Sequence, residues 1–383
     1  MKILIAAIVT AFVLSPSAPA QDGPASPGSA TVARPRPRPG ANAPTNGAPA
    51  APDSSLPQIP SKLSPKATRD ADPSTDVTFK ADANVVNIDV AVIDPDGRPI
   101  PNIPRANFRI LEDKVPQTLT QFSVGEAPMT VALVIEFSAR YQSYYSRGWG
   151  ETLTAAYGFV QTLKPDDYLA IIAYDLKSEI LSDFTNDRRK TQEALSMLRI
   201  PGFSESNMFD ALTDTADRMS KIEGRKAILL IASGIDTFSK LTYDKTRRRL
   251  QDSGVPVYSL SILQVARMMA ESSGTLGAIE NLDFLQADNE LRTFAKETGG
   301  QAYFPRFQAE MPGVFHAVAQ SLRNQYSLGY SSNNQAKDGK FRKLTIQLVN
   351  PENNQPLKVM QNGKSIKYTV IAKAGYTAPR AVE

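Results

Sequence analysis

The chain has 383 residues, with 43 lysines and arginines against 39 aspartates and glutamates, one histidine and no cysteine. The absence of thiols excludes disulfides, thiolate metal sites, cysteine nucleophiles and a lipid-modified N-terminal cysteine. A net charge of +4 is small for this length and leaves no nucleic-acid footprint, while 42% hydrophobic residues can bury a real core in two or three domains.

Met1–Ala20 reads as a secretory signal, with Lys2, an apolar run from Ile3 to Leu14, and Ala18-Pro19-Ala20 as a small-x-small cleavage site. The run is short for a membrane span, which leaves an uncleaved anchor as the alternative. Residues 21–75 are rich in Pro, Ala, Ser and Gly, with twelve of the 28 prolines, and cannot bury a core. The Arg34, Arg36 and Arg38 stretch favours polyproline II, so 21–75 is a semi-rigid spacer, with a docking peptide as the alternative. These arginines and Arg247–Arg249 read as solvated charge; contact with an anionic cell surface is the other reading.

Residues 76–128 form a β segment. Val86, Ile88, Val90 and Val92 alternate with Asn87, Asp89 and Ala91, and Asp94-Pro95-Asp96-Gly97 marks a turn. Further strands are predicted at Phe108–Leu111 and Leu119–Phe122. From 129 to 308, strands and helices alternate as in a mainly parallel sheet covered on both faces. Its strands are Val131–Phe137, Leu169–Tyr174 paired with Glu179–Phe184, Ala227–Ala232, Val255–Ile262 and Gln301–Phe304. Its helices are Trp149–Leu163, Asp187–Leu198, Asn207–Ile222, Tyr243–Ser253 and Asn289–Thr298. Gln264–Asp288 breaks the pattern and reads as an inserted loop or short helix over one edge. Residues 309–376 add a helix, Gly313–Arg323, then strands Tyr326–Tyr330, Phe341–Val349 and Ile366–Ala372, the last two behind Asp338-Gly339 and Asn362-Gly363 turns. The two terminal β regions are expected to pair into one small sandwich-like domain.

The apolar run 131–135 ends in Glu136, Ser138 and Arg140, which would project into the loop above the sheet, where open α/β sheets bind ligands. This stretch resembles the first strand of a von Willebrand factor type A (vWA) domain, whose metal-ion-dependent adhesion site reads Asp-x-Ser-x-Ser. The resemblance extends over residues 77–376 to exported vWA-related proteins of acidobacterial type. It is carried by Asp94–Ile100, Asn107–Phe122, Ser233–Lys240, Leu322–Tyr330, Asp338–Leu344 and Ala374–Tyr376. It implies a bacterial exported protein with a Rossmann-like doubly wound α/β sheet and a flanking small β domain built from N- and C-terminal segments.

In the resemblance, Glu136 stands for the first Asp, Ser138 for the first Ser, Arg140 for the second Ser, Ser206 for the loop Thr, and Ser233 for the second Asp. Mg²⁺ and Mn²⁺ want about six hard oxygens. A dication and an arginine about 6 Å apart repel by about 5 kcal/mol at an effective dielectric of about 20. The site therefore reads as a degenerate metal site with no resident cofactor, or at most weakly bound Mg²⁺ or Mn²⁺. Either Arg140 replaces the ion by pairing with Glu136 and offering donors to an acidic partner, or it points to solvent. Asp236 is a substitute ligand or, more simply, caps a turn or helix.

No GxSxG, P-loop, GxGxxG or HExxH motif occurs. His316 lies in an apolar helical run, and Asp210 and Asp214 read as a polar helix face. Trp149, Tyr141, Tyr144 and Tyr145 form either a sticky aromatic rim or helix-docking core. The function implied is exported, non-catalytic recognition of a protein or cell-surface polymer. Contact would run through the loops 136–145, 203–209 and 233–240, with Arg140, Tyr141, Tyr144, Tyr145 and Asn207 in contact. Divalent-metal adhesion through the altered site, and an exported hydrolase, are the alternatives. No nucleic-acid partner and no transmembrane span after signal removal are expected.

Overall fold

The computed structural model describes residues 85–124, 127–139, 148–198, 203–274, 277–361 and 363–381. The signal and spacer segments, Arg140, Tyr141, Tyr144 and Tyr145 lie outside the described residues.

The alternating N-terminal segment forms β1 (Val85–Ile93), β2 (Phe108–Glu112), β3 (Val115–Gln117) and β4 (Leu119–Ser123). The apolar runs that follow form β5 (Met129–Glu136), β6 (Tyr168–Tyr174), β7 (Ser178–Thr185), β8 (Arg225–Ala232), β9 (Val257–Ser261) and the short β10 (Ala302–Tyr303). Between them run α1 (Gly148–Thr162), α2 (Arg188–Met197), α3 (Met208–Ser220), α4 (Tyr243–Ser253), α5 (Gln264–Ser272) and α6 (Ala278–Thr298). The chain continues through α7 (Met311–Arg323), β11 (Tyr326–Ser331), β12 (Phe341–Leu348), β13 (Val359–Gln361), β14 (Lys364–Ile366), β15 (Thr369–Ile371) and β16 (Gly375–Thr377).

The central sheet has the order β10-β9-β8-β5-β6-β7. Its pairs are parallel except β6–β7, which is antiparallel. All eight residues of β5 are buried, as a strand covered on both faces requires. Because side chains alternate across a strand, Val131, Leu133 and Ile135 meet α1, α2 and α7, whereas Ala132 and Val134 meet α3, α4 and α6. The doubly wound architecture expected from the resemblance is what the chain adopts.

The terminal β segments close two further four-stranded sheets, β15-β1-β11-β4 and β16-β12-β2-β3. Their inner faces share one core of Ile88, Val90, Phe108, Ile110, Tyr326, Leu328 and Leu344. Both sheets mix strands from either side of the α/β segment, so neither terminal segment can form the sandwich alone. The sandwich is tied to the α/β layer by the Ala374 N–H, which donates to Glu297 O, and by the Arg225 guanidinium of β8, which donates to Gln325 O just before β11. Gly299, at φ +87°, sits where a Cβ would lie 2.6 Å from Lys373 N, so glycine is required at this junction.

Three elements differ from the sequence reading. Gln264–Asp288 is α5 plus the first half of α6, a 21-residue helix, because Ala287, Leu291 and Phe294 reach the sheet while its N-terminal part carries exposed Leu282 and Leu285 and so lacks a clean periodic stripe. The single strand read over 366–372 breaks at Lys367 and Tyr368, since β14 pairs with β13 and β15 pairs with β1. Helix α7, grouped by sequence with the C-terminal β segment, packs instead on α1, with Phe315 and Phe159 ring centroids 5.8 Å apart. No described helix is long and apolar enough to cross a membrane.

Candidate functional site

The strand order reverses at β5, which has β6 on one flank and β8 on the other, so the crevice above its carboxyl end is the topological switch point. Three loops meet there. The loop after β5 is held to the loop before α3 by Ala139 N–H donating to Phe203 O, 2.7 Å. The loop before α3 is held to the loop after β8 by Thr237 N–H and Phe238 N–H donating to Ser206 O, at 2.8 and 3.0 Å. Ser206 N–H returns a bond to Thr237 Oγ1 at 2.9 Å. Gly234 turns at φ +85° against α6, where a Cβ would meet Ala287 O at 2.9 Å.

Glu136 closes the bottom of this crevice and is only 2% exposed. Its Oε1 accepts from Ser138 Oγ at 3.0 Å, and its Oε2 accepts from Ser233 N–H at 2.7 Å and from the Tyr174 hydroxyl at 3.5 Å. Burial pushes the Glu136 carboxyl above its ordinary range, against the pull of the donors on Ser233, Ser138 and Tyr174. Burial, together with the Glu136 and Asp236 carboxyls, likewise holds the Tyr174 hydroxyl well above its ordinary value. Ser233 Oγ is turned back to accept from Ile235 N–H, 3.1 Å.

Asp236 faces α3. Its Oδ1 accepts from Phe209 N–H at 3.3 Å and from Ser239 Oγ at 2.6 Å, and its Oδ2 from Ser239 N–H at 3.3 Å. It thus satisfies an orphan amide of the first turn of α3 from a neighbouring loop. Burial raises its carboxyl as well. Asp210 does the converse, accepting from Lys240 N–H and Leu241 N–H, both at 3.0 Å. Asn207, just before α3, donates its N–H to Asp175 O and its Nδ2 to Leu176 O.

Two polar atoms in this crevice are left over. Ser206 Oγ and Asn207 Oδ1 are buried with no hydrogen bond of good geometry, on residues that are 0% and 7% exposed, though Ser206 still acts on the Tyr174 hydroxyl and partly offsets its burial. Ser206 Oγ is thus a hard oxygen at the position the resemblance gives to the loop Thr. The remaining donors fit a resident dication poorly: both Glu136 oxygens are engaged, Asp236 caps α3, and Ser233 Oγ faces its own turn. Among the described residues no group of three or more aspartates, glutamates and histidines could hold a metal ion.

The structure therefore brings Glu136, Ser138, Ser206, Asn207, Ser233 and Asp236 into one crevice. His316 is exposed on α7. Sequence reasoning missed Tyr174, Thr237 and Ser239, which gain their roles only by packing against other loops. Phe203 and Phe238, 46% and 58% exposed, lie on the contact loops 203–209 and 233–240 expected from the sequence, which did not single them out. A large apolar residue inside an otherwise polar loop was the available signal.

No protein-family model and no curated protein matches the sequence. Among solved structures, the chain is similar to the vWF domain of the type V pili tip protein Mfa5 from Porphyromonas gingivalis, at 13% identity and a TM-score of 0.40, covering 52% of this chain and 96% of that one. It is also similar to a von Willebrand factor type A protein from Catenulispora acidiphila, at 11% identity and a TM-score of 0.38, covering 78% and 76% of the two chains. BatB from Bacteroides thetaiotaomicron follows at 12% identity and 0.37, covering 50% and 98%. These likenesses are too distant to bring a function with them. The fold rests on the chain's own strand order: a vWA-like doubly wound domain with its switch-point crevice above β5, carrying a β-sandwich made from both of its flanks.

Proposed function

We propose that this is an exported recognition module that binds a protein or cell-surface polymer through the loops above β5, and that it binds without catalysing a reaction. The observation that carries this reading is the pair Phe203 and Phe238. They stand exposed on loops locked to each other by main-chain bonds, above a crevice whose polar groups are buried. Rigid loops presenting aromatic side chains lose little entropy on binding, which is how a small surface gains affinity. The carboxyl nearest to a reactive position, Glu136, is closed off by its own donors and by burial, an arrangement suited to holding loops. The metal site is read as degenerate, because the oxygens of Glu136, Ser233 and Asp236 that would ligate an ion are engaged by protein donors.

The test is binding of the purified full chain to envelope preparations, comparing the wild type with Phe203→Ser/Phe238→Ser and, as a control, Leu282→Ser on the far side of α6. Loss of at least about tenfold in the double variant alone is expected, the size of one or two buried aromatic anchors. Equal binding by all three proteins overturns the loop assignment. Calorimetry with Mg²⁺, Mn²⁺ and Ca²⁺ is run beside it. A sub-millimolar ion abolished by Glu136→Ala would replace the degenerate-site reading with metal-dependent adhesion.

A further inference from the structure

A second site lies at the opposite end of the molecule, between the sandwich and the amino ends of the central strands. There a cavity of about 840 Å³ opens beside the first half of β1. On one flank, β11 pairs with β1 from Val85 to Val90. On the other flank β15 pairs only with Ala91–Ile93, because the chain then leaves β1 to reach Glu297 and, as β16, the other sheet. The Val92 C=O and the Asp94 N–H bond to the 98–100 turn, on the flank away from β15. By the alternation of an antiparallel strand, the N–H and C=O groups of Val85, Asn87 and Asp89 point to the β15 flank, where no strand covers them among the described residues. This is a row of main-chain donors and acceptors about 17 Å long, an edge of the kind that accepts an added strand.

The walls of the same cavity are basic. Lys226, Lys373, Lys221 and Lys337 line it, against only Asp89 and Glu223. Lys226 is anchored, donating to Ser220 O at 3.1 Å and Ile222 O at 2.6 Å at the end of α3. Asp89 is engaged by Ser327 Oγ at 2.7 Å. Burial depresses the Lys373 ammonium, Asp89 partly restores it, and Lys226 adds repulsion, so an incoming carboxylate would relieve an unfavourable charge. Lys221 and Lys337 are exposed at the rim and draw anions toward the opening.

We infer that this cleft binds an extended acidic polypeptide segment of a partner, which adds as a strand to the open edge of β1 between Val85 and Asp89 and sets its carboxylates against Lys226 and Lys373. The open edge and the cation excess are independent features, and an extended chain with acidic side chains satisfies both. The site is separate from the loops above β5 and does not depend on what they bind.

The test uses the full chain and the synthetic peptide acetyl-Val-Asp-Val-Asp-Val-Asp-amide, with the Lys-for-Asp peptide as its charge-reversed control. Binding is followed by calorimetry, and by hydrogen exchange at the amides of Asn87 and Asp89. The acidic peptide is expected to bind, to slow exchange at both amides, and to lose at least about tenfold in affinity in Lys226→Gln/Lys373→Gln. The rim variant Lys221→Gln/Lys337→Gln, whose exposed side chains leave folding intact, is expected to lose about threefold and to show a shallower salt dependence. The inference is overturned if those amides are already protected in the free chain, if the two peptides bind alike or neither binds, or if the rim variant binds as the wild type does. Binding of the peptide without any change in amide exchange also overturns it, since that would make the cleft a plain anion site.

Discussion

Two glutamates, each 2% exposed, end strands in the two halves of this molecule, and neither has a basic partner among the described residues. In the sandwich, Glu112 is saturated by hydroxyls from two other strands and a loop: Tyr330 at 2.5 Å, Ser332 at 2.7 Å and Tyr376 at 3.0 Å. In the α/β domain, Glu136 receives two good bonds and one long one, and beside it the Ser206 hydroxyl and the Asn207 carbonyl oxygen make no hydrogen bond of good geometry. A buried carboxylate fully met by protein donors is a structural staple joining β2, β11 and β16. A crevice that keeps unmet polar capacity above a topological switch point, with aromatic side chains at its rim, has the features of a surface left open for a ligand.

This contrast is sharpest in stability. Glu112→Ala removes the shared acceptor of the Tyr330, Tyr376 and Ser332 hydroxyls, of which Ser332 keeps Asn334, and is expected to cost about 3–5 kcal/mol, read as a large fall in the urea midpoint. A loss below about 1 kcal/mol would break the staple assignment. Asp94 supplies an intermediate case. Burial raises its carboxyl, but the Arg98 amide and guanidinium and the Asp96 amide outweigh burial and hold it low. Asp94→Ala should cost about 1–2 kcal/mol at neutral pH. Because the folded carboxyl titrates below its ordinary value of 3.8, that contribution is complete above 3.8 and fades as the pH falls through the folded value.

Glu136 carries the opposite sign. Its carboxyl is raised above 4.5, so its proton-linked stabilisation is complete below 4.5 and is lost as the pH climbs through the folded value. Glu136→Gln should therefore cost less than about 1 kcal/mol at neutral pH and gain on the wild type as the pH rises, seen in paired unfolding curves at acidic and neutral pH. An unchanged gap between the curves would mean the carboxyl is not raised. The smallest effect is expected of Ser206→Ala, within about 0.5 kcal/mol of the wild type, because its hydroxyl makes no hydrogen bond of good geometry and has only a loose contact with the Tyr174 hydroxyl to lose. A loss above about 1 kcal/mol would show that the hydroxyl is engaged after all.

Much of this was legible in the chain. The unbroken apolar run of β5 and the alternation in β1 fix strand type by hydrophobic period alone, and Asp94–Gly97 fixes the turn that follows β1. That Glu136 and Ser138 lie above the sheet followed from the end of an apolar run; that Ser206, Ser233 and Asp236 join them was implied by the vWA resemblance. Their partners did not. Sequence cannot show that Asp236 turns to the first turn of α3, that Ser233 brings its amide to Glu136, or that Tyr174 reaches across from β6. Each of those depends on loop backbones set by long-range bonds such as Thr237 N–H to Ser206 O. The N-terminal half of α6 was equally illegible, because a helix lying on the surface with exposed Leu282 and Leu285 has no clear apolar stripe to betray its period.

By itself, then, the sequence determined most of the strands and helices and the alternation that builds the central sheet, since burial on one or both faces of a strand is written in residue order. Only the tertiary structure decided which polar atoms found partners and which did not, and that half of one edge of β1 has no partner strand among the described residues. Hydrogen-bond satisfaction is a property of neighbours far apart in the chain, and no local pattern of residues encodes it.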